Sequence, residues 1–291
     1  MSVRGIRGFA VTAALALLLA ACGGGDEAVV EVEEDAKFPA GTTMAKLNEA
    51  QSVKIGTKID QPGLGFKKAG ADAPEGFDVE MAKIVAAKLG IPVDKIEWVE
   101  TVSDNREPFL DNGTVDLVFA SYSITDERRQ VVGQAGPYYV TGQQLLVRKD
   151  DDSITGPDDL DGKKVCSVEG STSIKTVEEE YGASPVPFAT YSECVQQLLS
   201  ESVDAVTTDG AILLGYAAQN EGELKVVGEE FSKERIGVGF SKKHPEMCEW
   251  INGVLTESCE DGSWAEAFEA TLGGDYVETP EPPALDDCPA A

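Results

Sequence analysis

From residue 53 onward, short apolar runs alternate with stretches that keep a helical period, and this alternation constrains the fold more than any other feature. Such an order builds α/β architecture with largely parallel sheets, because each amphipathic helix must bury its stripe against the strands it connects. Strand-like runs cover 53–57, 96–100, 115–120, 143–148, 165–168, 186–188, 205–208 and 236–240. Between them Phe77, Met81, Ile84, Val85 and Leu89 fall on one face of a helix opened by Asp78 and closed by Gly90. Further helical patterns span 105–110, 173–181, 192–199, 211–219, 245–258 and 264–272. The globular part begins near 47–53, and about 240 residues suffice for two modest lobes.

What precedes it is different in kind. Arg4 and Arg7 lead into an apolar run over 9–19, followed by Leu19-Ala-Ala-Cys22. That reads as a secretory signal over 1–21, too short to span a bilayer. A cysteine directly after Leu-Ala-Ala also looks like a lipobox, which makes Cys22 the acylated first mature residue and anchors the protein to the outside of the cell membrane. The acidic, small-residue run from Gly23 lacks any period, so 22–46 is expected to be a flexible tether.

The precursor carries −28, and loss of the leader with its two arginines takes the mature chain from −28 to −30. Such an excess of carboxylates argues against a nucleic-acid partner and against docking on anionic lipid. Six cysteines in an oxidising compartment leave five once Cys22 is acylated. Cys166, in a strand, is expected to pair with Cys194 in the first turn of a nearby helix. Cys248 and Cys259 share one helix about 16 Å apart, too far to bridge. Cys288 in the Pro-rich tail is therefore expected to close onto Cys248, with Cys259 as the alternative. No spacing of Cys or His suggests a metal, the Asp-rich run at 159–162 fails the calcium-loop pattern, and no cofactor fingerprint occurs.

The chemistry-bearing motif is Asp116-Leu-Val-Phe-Ala-Ser-Tyr-Ser-Ile-Thr-Asp-Glu-Arg-Arg129, followed by Gly136-Pro-Tyr-Tyr139. A buried strand opens into a hydroxyl-rich turn and then a helix whose N-cap is Thr125. Ser121, Ser123 and Arg128 then converge at the carboxyl end of a strand, where open sheets bind ligands, and Arg with two hydroxyls suits a carboxylate.

The pattern resembles that of family 3 solute-binding proteins serving polar amino-acid ABC transporters. The resemblance implies two Rossmann-like lobes on a two-segment hinge, the type II periplasmic-binding-protein fold. Lobe 1 is then 50–137 plus 237–291, lobe 2 is 143–231, and the hinge segments are 138–142 and 232–236. It further implies that Arg128, Ser121 and Ser123 take the ligand α-carboxylate, that Ser171 and Thr172 at a helix N-terminus assist, and that Asp209 receives the α-ammonium. Lys58 and Arg106 match positions where glutamate- or aspartate-binding members carry basic residues, with Tyr191 and Ser103 as further side-chain contacts. Relatives stack an aromatic ring on the ligand soon after the first strand; here Gln61-Pro-Gly-Leu64 stands there, and Phe66 or Tyr122 are the substitutes.

The implied protein is a monomeric, non-enzymatic receptor for glutamate or aspartate that delivers it to the permease of an ABC importer. Glutamine or another polar amino acid is the alternative. A dehydratase-like enzyme and a sensory lipoprotein are the readings from other classes. The only histidine, His244, stands before Pro245 at a helix start, where capping is its expected role, and no Ser-His-Asp set or nucleophile elbow is present.

Overall fold

The computed structural model describes residues 31–273 and 277–289. The leader, Cys22 and the first part of the tether lie outside them. Two five-stranded sheets, each covered by helices, form two lobes.

The chain enters through α1 (Thr43–Ala50), β1 (Val53–Thr57), the short hairpin β2 (Asp60–Gln61) and β3 (Gly65–Phe66), then α2 (Phe77–Lys88) and β4 (Ile96–Glu100). A 3-10 turn, Ser103–Asn105, leads to α3 (Arg106–Asn112), β5 (Leu117–Phe119), α4 (Asp126–Arg129) and β6 (Gly133–Thr141). The second lobe holds β7 (Gln143–Arg148), β8 (Lys164–Val168), α5 (Thr172–Tyr181), β9 (Ser184–Phe188), α6 (Tyr191–Leu199), β10 (Ala205–Asp209), α7 (Gly210–Gln219) and β11 (Leu224–Val227). The chain then returns through β12 (Glu234–Phe240), α8 (Glu246–Asp261) and α9 (Ser263–Thr271).

The strand orders are β4-β1-β5-β12-β6 and β11-β7-β10-β8-β9. In the first sheet β1 runs parallel to β4 and β5, whereas the returning β12 pairs antiparallel with β5 and β6. Each sheet therefore mixes parallel βα units with one antiparallel neighbour delivered by the crossing strands.

The core of the first lobe centres on α2, which is buried almost all round between the sheet and α8 and α9. Phe77 stands edge-on to Tyr138, Tyr139, Trp264 and Phe268, with ring centres 5.2–5.9 Å away. Trp264 adds a hydrogen bond from its indole N–H to the Tyr138 carbonyl, 2.8 Å. Lys83, carried into the same interior, is neutralised by Glu80 at 2.8 Å.

Among the described residues two disulfides are present, Cys166–Cys194 and Cys248–Cys288, and Cys259 is free. They staple β8 to α6, and the C-terminal segment to α8.

Three local expectations need correction. The tether read over 22–46 does not extend that far, because Phe38 packs edge-on against Trp250 and α1 buries Met44 and Leu47. Residues 138–141, read as hinge, belong to β6, so Gly142 alone separates the sheets there; on the return β12 begins at Glu234, inside the other segment read as hinge. At His244 no side-chain cap forms, since Pro245 takes the N-cap place of α8.

Because Phe77 is the shared neighbour of four aromatic rings, Phe77→Ala is expected to lower the unfolding free energy by roughly 3–5 kcal/mol. Urea denaturation followed by tryptophan fluorescence measures it. A loss below about 1 kcal/mol would mean that the cluster does not organise the lobe.

Candidate functional site

Both sheets point the carboxyl ends of their strands at the groove between the lobes. β1 ends by delivering Lys58 into it, 4 % exposed. Gly65 lets the returning hairpin lie on that residue: a Cβ there would stand 2.9 Å from the Lys58 carbonyl oxygen. Lys58 Nζ donates to Ser103 Oγ at 2.8 Å. Desolvation, with the nearby Arg106 charge second, pulls its pKa down to about 7.

The 3-10 turn and α3 supply Ser103 and Arg106. The Arg106 guanidinium is held by carbonyl oxygens: Nε donates to Ser103 at 3.0 Å, Nη1 to Ala120 and Ser121, and Nη2 to Gly170 of the second lobe at 3.2 Å. Burial, with the Arg128 charge second, lowers its pKa to about 10.

The turn after β5 is fixed from behind. Asp78, the second residue of α2, accepts from the Ser121 N–H at 2.6 Å and from the Tyr138 hydroxyl at 2.7 Å. Desolvation raises the Asp78 pKa, and these two bonds oppose the rise. Ser121 itself sits at φ 42°, a left-handed conformation rare for a residue with a Cβ. Its hydroxyl donates to Gln61 Oε1 at 2.8 Å.

Thr125 caps α4, accepting from the Arg128 N–H at 3.1 Å. Arg128 then reaches Ser123 O at 2.7 Å and Gly170 O at 2.9 Å, while its Nε lies 3.2 Å from Glu107. Beneath both guanidinium groups lies the Tyr122 ring, 4.6 Å from Arg106 and 5.0 Å from Arg128, with its hydroxyl on Glu107. Tyr122 is thus a support for two cations rather than a lid on the groove. Phe66, the other expected aromatic substitute, lines a different groove with Pro62 and Leu272.

From the second lobe come Gly170 to Ser173 and the N-terminus of α5. Gly170 has φ 75°, and a Cβ there would meet Asp104 Cα at 2.9 Å, so only glycine lets this loop touch the first lobe. Ser171 caps α5 through the Ile174 N–H, and its hydroxyl joins Ser167 and, through it, Tyr191. Burial raises the Tyr191 phenol to about 12, which keeps it a neutral donor. Thr172 donates to Glu234 at 3.1 Å. Asp209 ends β10, 4 % exposed, and makes no cap bond to α7. Burial, with Glu234 second, pushes its pKa well above the ordinary carboxylate range.

These groups close around a cavity of about 10 Å³. Ser103, Arg106, Ser121, Ser123 and Arg128 line it from one lobe, and Ser171, Thr172, Ser173, Tyr191, Thr208 and Asp209 from the other. That volume is room for about one water, so the lobes are closed on each other here and a ligand needs them to part. Lys58 stands directly behind Ser103. Ser173 closes the anticipated run from Gly170, whereas Thr208 was not foreseen, nor were three carboxylates that brace the cavity. Asp60 in β2 is one: it accepts from the Tyr191 and Ser192 N–H groups at the start of α6, 2.9 and 3.2 Å, bridging the lobes. Asp78 and Glu234 are the others. Among the described residues, no group of three or more His, Cys, Asp or Glu is placed to hold a metal.

Residues 53–273 match the model of the bacterial extracellular solute-binding proteins, family 3. The glutamate-binding protein GluB of Corynebacterium efficiens is 42% identical over 238 residues, covering 78% of this chain and 81% of that protein. GluB of Corynebacterium glutamicum is 38% identical over 284 residues, covering 93% and 90%. Among solved structures, an ancestral arginine-binding protein bound to glutamine superposes with a TM-score of 0.72 at 38% identity, over 77% of this chain and 99% of that one.

The depressed pKa of Lys58 fixes the sign of a stability effect. A folded value near 7 lies below the usual lysine value of 10.5, so the unfolded chain binds more protons between them. Stability of the ligand-free protein should therefore rise as pH climbs from 7 toward 10, and the penalty is complete below 7. Lys58→Met should raise the melting temperature at pH 7, by about 2–4 °C per kcal/mol relieved, and flatten that pH dependence. Scanning calorimetry at pH 6, 7, 8 and 9 is the check; an unchanged slope in the variant would place the titration elsewhere.

Proposed function

The chain belongs to the bacterial extracellular solute-binding proteins, family 3, and on that premise we propose that it is the receptor of an ABC importer for glutamate. The observation that carries the specificity is Lys58. Its buried ammonium has three N–H donors and, among the described residues, one hydrogen-bond partner, Ser103. A carboxylate supplies both a counter-charge and acceptors and so draws Lys58 to its ionised form, whereas a neutral side chain supplies no counter-charge.

Arg128, with Ser121, Ser123 and the N-terminus of α5 at Ser171 and Thr172, takes the α-carboxylate in this reading. Asp209 takes the α-ammonium, which favours its ionised form. Lys58, held by Ser103, and Arg106 take the side-chain carboxylate, Lys58 by direct hydrogen bonds and Arg106 largely by its field, since four of its donor contacts already go to carbonyl oxygens. Tyr191 is the neutral donor beside them. Aspartate is accommodated by the same charges. Glutamine is disfavoured because its amide cannot neutralise Lys58, and the GluB names of two relatives support the same choice.

The family's extracellular placement supports an extracytoplasmic location. We read Cys22 as the lipid anchor, the protein as a monomer that passes its ligand to permease subunits, and the site as binding without catalysis. A proton shuttle through the buried pair Asp209 and Glu234 is the competing enzymatic reading; turnover of a bound amino acid identifies it.

Two experiments test the assignment. In a thermal-shift panel of the twenty amino acids, a ligand at 100 times its Kd stabilises by about 2.7 kcal/mol, and glutamate or aspartate should give the largest shift. Calorimetric titration of Lys58→Met should then raise the Kd for glutamate roughly 10–100-fold, since a charge-assisted hydrogen bond contributes about 1.5–3 kcal/mol, and leave that for glutamine within about threefold. Equal losses for both ligands would remove Lys58 from the side-chain pocket.

A further inference from the structure

The C-terminal segment meets the ligand machinery at one residue. Asp286 receives Arg235 Nη1 on both carboxylate oxygens, 2.6 Å each, and Arg129 Nη2 at 2.9 Å. Arg129 follows Arg128 in the four-residue helix α4. Arg235 lies on β12, where its backbone carbonyl accepts the Ile124 N–H at 2.7 Å. The next residue, Ile236, bridges Ser123, and the preceding one, Glu234, holds Thr172. One carboxylate thus ties the turn that presents Ser123 and Arg128 to the strand that crosses between the lobes.

The segment bearing Asp286 has no regular secondary structure of its own and is fastened at close intervals. Its N–H donates to the Gly136 carbonyl at 2.7 Å, its carbonyl accepts from Asn252 at 2.9 Å, and two residues on, Cys288 is bonded to Cys248. Asn252 also accepts from the Gly136 N–H, 2.8 Å, closing the ring of contacts.

Helix α4 is also held by its Thr125 cap, by the Arg128 contacts and by Lys242, which donates to the Arg129 and Gln130 carbonyls. Among the described residues, however, Asp286 is the one carboxylate on Arg129. Four residues cannot sustain a helix by backbone hydrogen bonding alone. Arg129 Nε is buried with no hydrogen-bond partner among the described residues. Asp286 is its counter-charge, and removing that carboxylate would leave a half-buried cation, which favours rotation of the side chain, and of α4 with it, toward water.

We infer that Asp286, anchored by the Cys248–Cys288 disulfide, is a positioning residue that holds Arg128 in the geometry needed to receive a ligand carboxylate. This rests on the reading of Arg128 as the α-carboxylate partner. Because every amino acid carries that group, loss of Asp286 must weaken all ligands alike, unlike loss of Lys58.

The test uses the mature chain with its disulfides intact and the variants Asp286→Asn, Asp286→Glu and Cys288→Ser. Hydrogen exchange of the segment 122–132 in the ligand-free protein should accelerate at least tenfold in Asp286→Asn and Cys288→Ser. The Kd values for glutamate and glutamine should rise together, about five- to twentyfold, with Asp286→Glu recovering most of the loss. A lowered melting temperature with unchanged exchange and unchanged Kd values would overturn the inference, as would faster exchange without loss of affinity. Wild-type protein that binds no glutamate would sink the functional reading instead, while the exchange comparison would still decide whether Asp286 holds α4.

Discussion

Lys58 is carried into the interior by β1, and taking an ammonium out of water costs several kcal/mol unless the protein returns an equivalent set of partners. The cleft does not return them. Its two guanidinium groups are solvated by backbone carbonyls of Ser103, Ala120, Ser121, Ser123 and Gly170 and by the face of Tyr122, whereas Lys58 has the single hydroxyl of Ser103. The carboxylates that could have neutralised it are committed elsewhere. Asp78 holds the Ser121 turn, Asp60 sits at the start of α6, and Glu107 pairs with Arg128. The region is therefore cationic by construction, and an anion is the ligand that lowers its energy most.

That arrangement depends on packing well away from it. Phe77 fixes α2 through four aromatic neighbours, and the adjacent residue, Asp78, is thereby aimed at the turn after β5. Its hydrogen bond from the Ser121 N–H holds that residue in a backbone region that a side chain disfavours by about 1–3 kcal/mol. Tyr138 belongs to both systems: its ring packs on Phe77 and its hydroxyl completes Asp78. Core and site are coupled through these few residues, so a loosened core should blunt the site before it unfolds the lobe.

The alternation of strands and helices was legible because each segment keeps its own period over several residues. The turn from Ser121 to Arg128 was legible because Thr125 caps its helix by a local rule. The strand β6 was not, since Gly133-Gln-Ala-Gly-Pro137 carries neither alternation nor β-branched residues, and its pairing with β12 is set by tertiary contact alone. Neither α1 nor β11 carried a pattern strong enough to read. Of the residues around the cleft, those within motifs could be named beforehand. Asp60, Asp78 and Glu234 could not, because nothing local distinguishes a carboxylate that accepts from donors distant in the chain from one on the solvated face. Tyr122 illustrates the same limit. Its position beside the serines suggests ligand stacking, but the alternation of the extended turn points it away, under the arginines.

The contrast between surface and cleft gives the last step. At physiological salt a charge is screened beyond about 8 Å, so the acidic exterior of a chain at −28 does not set the potential inside the groove. There Arg106, Arg128 and Asp209 line the cavity and Lys58 stands behind Ser103, in a space too small to hold many waters, where each interaction is stronger than at the surface. Two of these cations reach the Gly170 carbonyl across the lobes, and Asp60 reaches back to α6. A dicarboxylate lying between them would add contacts that exist only when the lobes are together. On the proposed assignment, closure and anion selectivity follow from the same few groups, because a ligand favours one state of a hinge only through interactions it makes in that state alone.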